Sequence, residues 1–395
     1  MPSANLGKEP LLTRDFGLMC TNNMGFSMAM NLTTPVLPLF LVDVLHVESG
    51  LMGLALAMFA VGAMLTRPIA GVLADRFNLK LVFLIGGLLY SIFLPVLPLV
   101  PILMIIALRT VQGISFSVNN TAQNTMAVMV TPSSRLGTGL GIFGTITFAG
   151  MVLGPMLGMK VLEWTGYNIA FWMAFVLAVA SVLVAAPVKL PKNENGEKQK
   201  FSWEALIFKR GVPASLCYAC VVIGYGMIIS YIAIFAREAG PEYDAGLFYG
   251  ALGLGLILSR VFGGVLLEKG YLLSTLVVSK VFAGACLLAM VLVPSPAVFL
   301  GTGLLMGLCY GLIMPSYQTI VVQMAEPSQW GAANSTYFFA MDLGMMTAML
   351  AGGVLADFMG FGGMFLSSLL PLAVSLVWFF MSIYPSYKAH MAAHS

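Results

Sequence analysis

LTRPIAGVLADR at residues 65–76 and LSRVFGGVLLEK at residues 258–269 are one segment written twice, 193 positions apart. Five of the twelve positions are identical, and Thr/Ser, Asp/Glu and Arg/Lys are conservative exchanges. Agreement among apolar residues is common by chance. Agreement of Arg67 with Arg260, and of Asp75-Arg76 with Glu268-Lys269, is not. Each copy ends an apolar run and enters a short polar turn. Self-similarity at a long fixed offset marks a duplicated structural unit, so the chain reads as two related halves.

Composition around the repeat leaves one class of protein. Of 395 residues, 59% are hydrophobic and 9% charged, with a mean hydropathy of +0.94. A soluble domain carries about 25% charged residues. A soluble enzyme and a disordered scaffold are excluded, and a net charge of +3 without a basic patch offers nothing to nucleic acid. The five cysteines lie in apolar runs, and Cys217–Cys220 has no second pair to complete a metal site. His46, His390 and His394 stand in a loop and the tail, away from any cluster. No enzymatic activity, metal or other cofactor is expected.

A membrane span needs about 20 mostly apolar residues. Such runs fall at 16–42, 50–72, 80–99, 101–127, 138–160 and 168–187, then at 211–236, 246–267, 274–292, 297–324, 333–355 and 363–383. No cleavable signal pattern precedes the first. The expectation is an all-α membrane protein of twelve transmembrane helices in two pseudo-symmetric six-helix bundles, 1–187 and 211–395, joined by a polar linker at 188–210. Phe201 to Phe208 in that linker reads as a short interfacial helix. With the N-terminus inside, thirteen Lys/Arg residues fall on inner segments and only Lys160 and Arg237 on outer ones. The positive-inside rule then puts both termini and the linker in the cytoplasm of a multi-pass cell-membrane protein.

Four motifs in order resemble those of the major facilitator superfamily, and the resemblance covers essentially the whole chain. Gly71-Val72-Leu73-Ala74-Asp75-Arg76 with Lys80 is similar to the signature loop after span two, with Asn78 and Leu79 replacing two usual residues. Arg109-Thr110-Val111-Gln112-Gly113 resembles the fourth-span arginine motif. Gly150 to Gly158, with Gly154 and Pro155, resembles the fifth-span motif of antiporters. Thr34-Pro35-Val36-Leu37-Pro38 resembles the first-span element of drug exporters. The resemblance implies a monomeric secondary transporter working by alternating access. Its expected partners are a small-molecule substrate, protons and the lipid bilayer.

The resemblance also distributes roles. Gly71, Asp75, Arg76 and Lys80, with Arg67, Arg260 and Glu268 from the repeat, form a conformational latch in which Asp75 meets the N-terminus of span eleven. Gly150, Gly154 and Gly158 share a face that would let span five pack closely on span eight, with Pro155 bending the helix.

Charges within spans are costly and mark function. Arg109 lies inside span four, and Gln112, Phe116, Asn119 or Asn120, and Gln123 follow it at helical spacing as one polar face. Asp342 is the only acid in the middle of any span, a candidate proton carrier with Arg67, Arg109 or Lys280 as partner. Asn22, Asn23 and Asn31 in span one, Tyr218, Tyr225 and Tyr231 in span seven, and Tyr310, Tyr317 and Gln318 in span ten are further cavity candidates. The expected function is proton-coupled export of a small organic solute. Uptake by symport and uncoupled facilitation remain open, and a receptor that transports nothing would have little use for Arg109 and Asp342.

Overall fold

Lipid offers the backbone no hydrogen bonds, so each apolar run must satisfy its own amides, and a helix does so. The computed structural model describes residues 11–132, 135–190, 207–268, 271–326 and 329–388, with only the backbone described at Asp75, Glu268 and several neighbours. Residues 191–206, with most of the expected linker helix, lie outside the described residues.

Helices take the place of every expected span. They are α1 (Arg14–Asp43), α2 (Ser49–Arg76), α3 (Leu79–Ile92), α4 (Ile102–Val130), α5 (Leu136–Thr165) and α6 (Tyr167–Val184). In the second half they are α7 (Val212–Ala239), α8 (Ala245–Glu268), α9 (Leu272–Leu292), α10 (Pro296–Gln323), α11 (Trp330–Ser367) and α12 (Leu369–Trp378). No strand occurs among the described residues. Local chemistry sets the ends. Thr13 Oγ1 accepts from Phe16 N at 3.2 Å to cap α1, and Asn78 Oδ1 accepts from Lys80 N and Leu81 N to start α3.

The last two spans are divided inside α11. Trp330–Lys388 is one apolar stretch of 59 residues, about 88 Å of helix and far too long for a single crossing. Gly360 breaks it with φ +70° and ψ 169°, a backbone shape closed to side chains with a Cβ. The eleventh span therefore ends before Gly360. The twelfth runs from there through α12 and a π-turn at Phe379–Ile383.

Packing repeats as the sequence does. In the first half α1 packs on α5 and α6, α2 on α4, and α3 on α4 and α6; in the second, α7 packs on α11 and α12, α8 on α10, and α9 on α10 and α12. The close approaches are copied too. A Cβ on Gly62 would run into Thr110 O and one on Gly113 into Phe59 O, between α2 and α4. Their counterparts Gly255 and Gly307 meet Leu304 O and Leu252 O, between α8 and α10. The halves meet along two seams, α2–α11 and α5–α8, with α1 also touching α7.

At the end of the bundle away from the termini, here the distal end, both seams are shut. Asp357 Oδ1 and Oδ2 accept from Ser49 N (2.9 Å) and Gly50 N (2.7 Å), so α11 caps α2 across the seam. Asp43 takes an ion pair from Arg237 and a hydrogen bond from the Tyr167 hydroxyl, tying α1 to α7 and α6. On the other seam, Cβ atoms on Gly246 and Gly250 would stand 3.3 Å from Met159 Cβ and 2.9 Å from Met156 Sδ.

Candidate functional site

Between the halves lies a cavity of about 670 Å³, a size that suits a drug-like molecule. Helices α1, α2, α4 and α5 line it from one half and α7, α8, α10 and α11 from the other, with Tyr90 added from α3. Its lining reaches Leu140, Asn124 and Gln318, within two turns of the helix ends on the side of the termini. Gly144, also in the lining, has open space where a Cβ would stand. The cavity is shut distally and extends toward the other end.

Asp342 on α11 is buried and faces the cavity. Its partner is Arg67 on α2: Nε donates to Oδ2, and Nη2 to Oδ1 at 3.0 Å. This two-pronged pair spans the seam between the halves, and Arg67 also lies 5.3 Å from the ring centroid of Phe338. Of the three partners weighed for Asp342, the structure selects one. Arg109 stacks on Phe59 at 4.5 Å and donates from Nη1 to Gln112 Oε1 at 3.2 Å. Lys280 is far into the second half, 1% exposed, with Nζ donating to Tyr317 Oη (2.6 Å) and Ser375 O (3.1 Å).

The polar faces divide between cavity and helix packing. Asn23, Asn31, Phe116, Asn120, Gln123, Tyr218, Tyr225 and Gln318 line the cavity. Asn23 Nδ2 donates to Phe143 O and Thr147 Oγ1 while its Oδ1 accepts from Gln123 Nε2, and Gln318 Nε2 donates to Asn334 Oδ1. Asn22 does not reach the cavity: it donates to Ser181 O on α6 at 2.8 Å. Asn119 donates to Phe83 O on α3 at 2.8 Å. Gln112 is fully buried beneath Arg109. Tyr310 and Tyr317 stand behind the wall, at ring distances of 5.2 Å from Tyr225 and 5.5 Å from Tyr218. Tyr231 donates to Met349 O beside the distal seal.

One expected packing partner changes. The glycine face of α5 does not meet α8. Cβ atoms on Gly150 and Gly154 would lie 2.9 Å from Met24 O and 2.7 Å from Met28 O, and one on Gly158 would crowd Leu32, all on α1. The contact with α8 is made from the opposite face by Val152, Met156 and Met159, and the small residues there belong to α8. Pro155 lines the cavity. In the latch segment, Lys80 Nζ donates to Val188 O at 3.2 Å within its own half. Arg76 is exposed, and Gly71 has nothing within reach of a Cβ. The side chains of Asp75 and Glu268 are outside the described ones.

Arg67 and Arg260, read from the repeat as latch residues, both face the cavity. Arg260 lies 4.2 Å from the ring centroid of Phe148 on α5. The signal was present in the duplication, which conserves these two arginines at matched depth. Tyr337, which stacks on Tyr218 at 4.6 Å and 12°, carried no comparable signal.

The profile of the Major Facilitator Superfamily matches residues 19–296 and 214–392. Among curated proteins, the uncharacterized MFS-type transporter YhhS of Escherichia coli (strain K12) is 25% identical over 90% of both chains. The multi-drug resistance efflux pump PmrA of Streptococcus pneumoniae serotype 4 is 26% identical over 89% of this chain and 91% of its own. Among solved structures, a bacterial homolog to the human lysosomal transporter Spinster, inward-facing and occupied, superposes with a TM-score of 0.78 at 13% identity. It covers 95% of this chain and 97% of that one. Profile, duplicated packing and central cavity agree: the chain belongs to the Major Facilitator Superfamily and is a transporter rather than an enzyme.

Proposed function

We propose that this transporter exports a small organic solute by alternating access, driven by proton entry, with Asp342 as the proton carrier. The observation that carries the reading is the Arg67–Asp342 pair, which joins the two halves across the cavity. A protonated Asp342 has no charge to offer Arg67, so proton uptake weakens the tie between halves and proton release restores it. The proton then has differential affinity for two arrangements of the halves, which is what coupling requires. Export as the direction is supported by the resemblance to an efflux pump. The latch, Asp75 and Glu268 in the last turns of α2 and α8 included, would bias the same equilibrium from the end bearing the termini. The thirteen-to-two bias of basic residues supports a cell-membrane protein with both termini cytoplasmic. One chain encloses the cavity, which supports a monomer as the transporting unit.

The test is flux in proteoliposomes under an imposed pH gradient, beside solute counterflow without one. Asp342→Asn fixes the uncharged form at nearly constant volume, so pH-driven flux falls to background while counterflow survives. Full pH-driven flux in Asp342→Asn overturns the assignment, and solute moving with the proton makes the protein a symporter.

A further inference from the structure

We infer that the cavity takes a small amphipathic organic anion, an acid group carried on an apolar or aromatic body. The inference deepens the transport reading and rests on it for the solute's passage, while the binding site itself is argued from charge.

Among the described residues, four charged side chains line the cavity: Arg67, Arg109, Arg260 and Asp342. Asp342 answers Arg67. Neither Arg109 nor Arg260 has a carboxylate within ion-pair distance among the described residues. Among the described residues the cavity therefore keeps two positive charges without a counter-charge inside a membrane, where such charges are expensive and face a wet path or a partner. Arg109 leaves its Nε buried and without an acceptor. Arg260 is exposed within the cavity and lies over the face of Phe148. A cationic solute would add a third unpaired charge, and a neutral one would leave both guanidiniums unanswered. An acid group answers one of them with two parallel hydrogen bonds, because the guanidinium fork matches carboxylate, sulfonate and phosphate geometry.

The two arginines are not one site. At 1.5 Å per residue from the distal helix ends, Arg109 lies about 11 Å into α4 and Arg260 about 23 Å into α8. A separation of roughly 12 Å along the bundle is too long for one acid group to span. They are stations at two depths, Arg260 nearer the end bearing the termini. The walls suit the rest of such a solute. Phe59, Tyr90 and Phe116 cluster on one side at ring distances of 5.4–6.5 Å, and the Tyr218–Tyr337 stack stands on the other. Aromatic faces and adaptable methionines such as Met341 and Met345 accept apolar bodies of varied shape.

The test uses the full chain in phosphatidylcholine nanodiscs, titrated with 2-naphthoate, 2-naphthamide and 2-naphthylmethylammonium, which share a ring and differ in charge. The expected order is naphthoate at least tenfold tighter than the amide, with the ammonium weakest. Arg109→Gln and Arg260→Gln each remove one of two naphthoate stations, so the stoichiometry falls from two to one; the double variant weakens naphthoate at least tenfold, and all three leave the amide within twofold. Arg260→Lys in the Arg109→Gln background, which keeps the charge but loses the fork, retains an intermediate affinity. The ranking in the unaltered protein stands even where a variant fails to fold. Equal or tighter binding of the amide or ammonium, or no binding by any of the three, overturns the inference. So does complete displacement of naphthoate on adding phosphatidylglycerol to the discs, which would make a lipid headgroup the occupant. The two readings fail separately. Naphthoate binding without flux of any solute defeats transport and leaves the anion site. Flux of a cationic solute without naphthoate binding does the reverse.

Discussion

The two seams between the halves are copies of one another in position and opposites in chemistry. Along α2–α11, two carboxylates of α11 hold α2: Asp357 caps its distal amides, and Asp342 pairs with Arg67 farther along. Along α5–α8, the contact is apolar, with Val152, Met156 and Met159 against glycines of α8, and the arginine matching Arg67 finds Phe148 instead of an acid. Duplication copied the helix positions and both arginines, but not the counter-charge. On the proposed reading, one seam would answer to protons, while the other would leave its arginine to meet a solute.

The largest effect should come from breaking the charged seam. Asp342→Ala leaves Arg67 largely buried with no counter-ion, at about 3 kcal/mol, read as lower stability to denaturant in detergent. Asp342→Leu combined with Arg67→Met should recover most of it. A double variant no better than either single one would mean the pair is held for packing.

Overfilling the apolar seam comes next. A Cβ on Gly253 would stand 2.6 Å from Val152 Cβ, so Gly253→Leu costs about 1–3 kcal/mol in the distally closed state. Thiol labelling of Met159→Cys should rise about tenfold as the distal ends part. Unchanged labelling would show that α8 yields without opening.

Asp357→Asn weakens a cap supplied from across the seam. Glu48, the cap residue of α2 itself, makes no side-chain bond there. The expected loss is about 1 kcal/mol, near fivefold in the population of the closed distal end. Phe148→Asp is the mildest, because it makes the second seam resemble the first. The new pair with Arg260 adds about 0–1 kcal/mol of stability, yet it should lower naphthoate stoichiometry by neutralising one station. Unaltered stoichiometry would place the acid group elsewhere.

Helix positions were legible because lipid permits so little else: most apolar runs end within about five residues of the helix ends. However, α3 stops at Ile92, short of the expected 99, and α11 runs past 355 to its break at Gly360. The repeat also exposed the matched arginines, though depth alone could not say that they face the cavity rather than a latch. Neighbours were harder. Four-residue spacing states that Gly150, Gly154 and Gly158 share a face, but not that the face meets α1. Polar residues at helical spacing looked like one cavity wall from Gln112 to Gln123. Asn119 instead serves a carbonyl of α3, since a buried amide in a bundle is satisfied by whichever backbone lies closest. Tyr337 drew no notice because a single tyrosine in an apolar helix has no pattern to betray it.

The Arg67–Asp342 pair joins residues 275 apart in sequence, and this sets a demand on biogenesis. At a synthesis rate of about 5–20 residues per second, the arginine exists for roughly 14–55 seconds before its aspartate is made. During that interval the first half must hold an unanswered guanidinium, which lies toward the end of α2 nearer the termini and can reach for the headgroups. Nine further helices, α3 to α11, must be laid into the bilayer before the charge finds its partner, so the last third of the chain completes the electrostatics of the first.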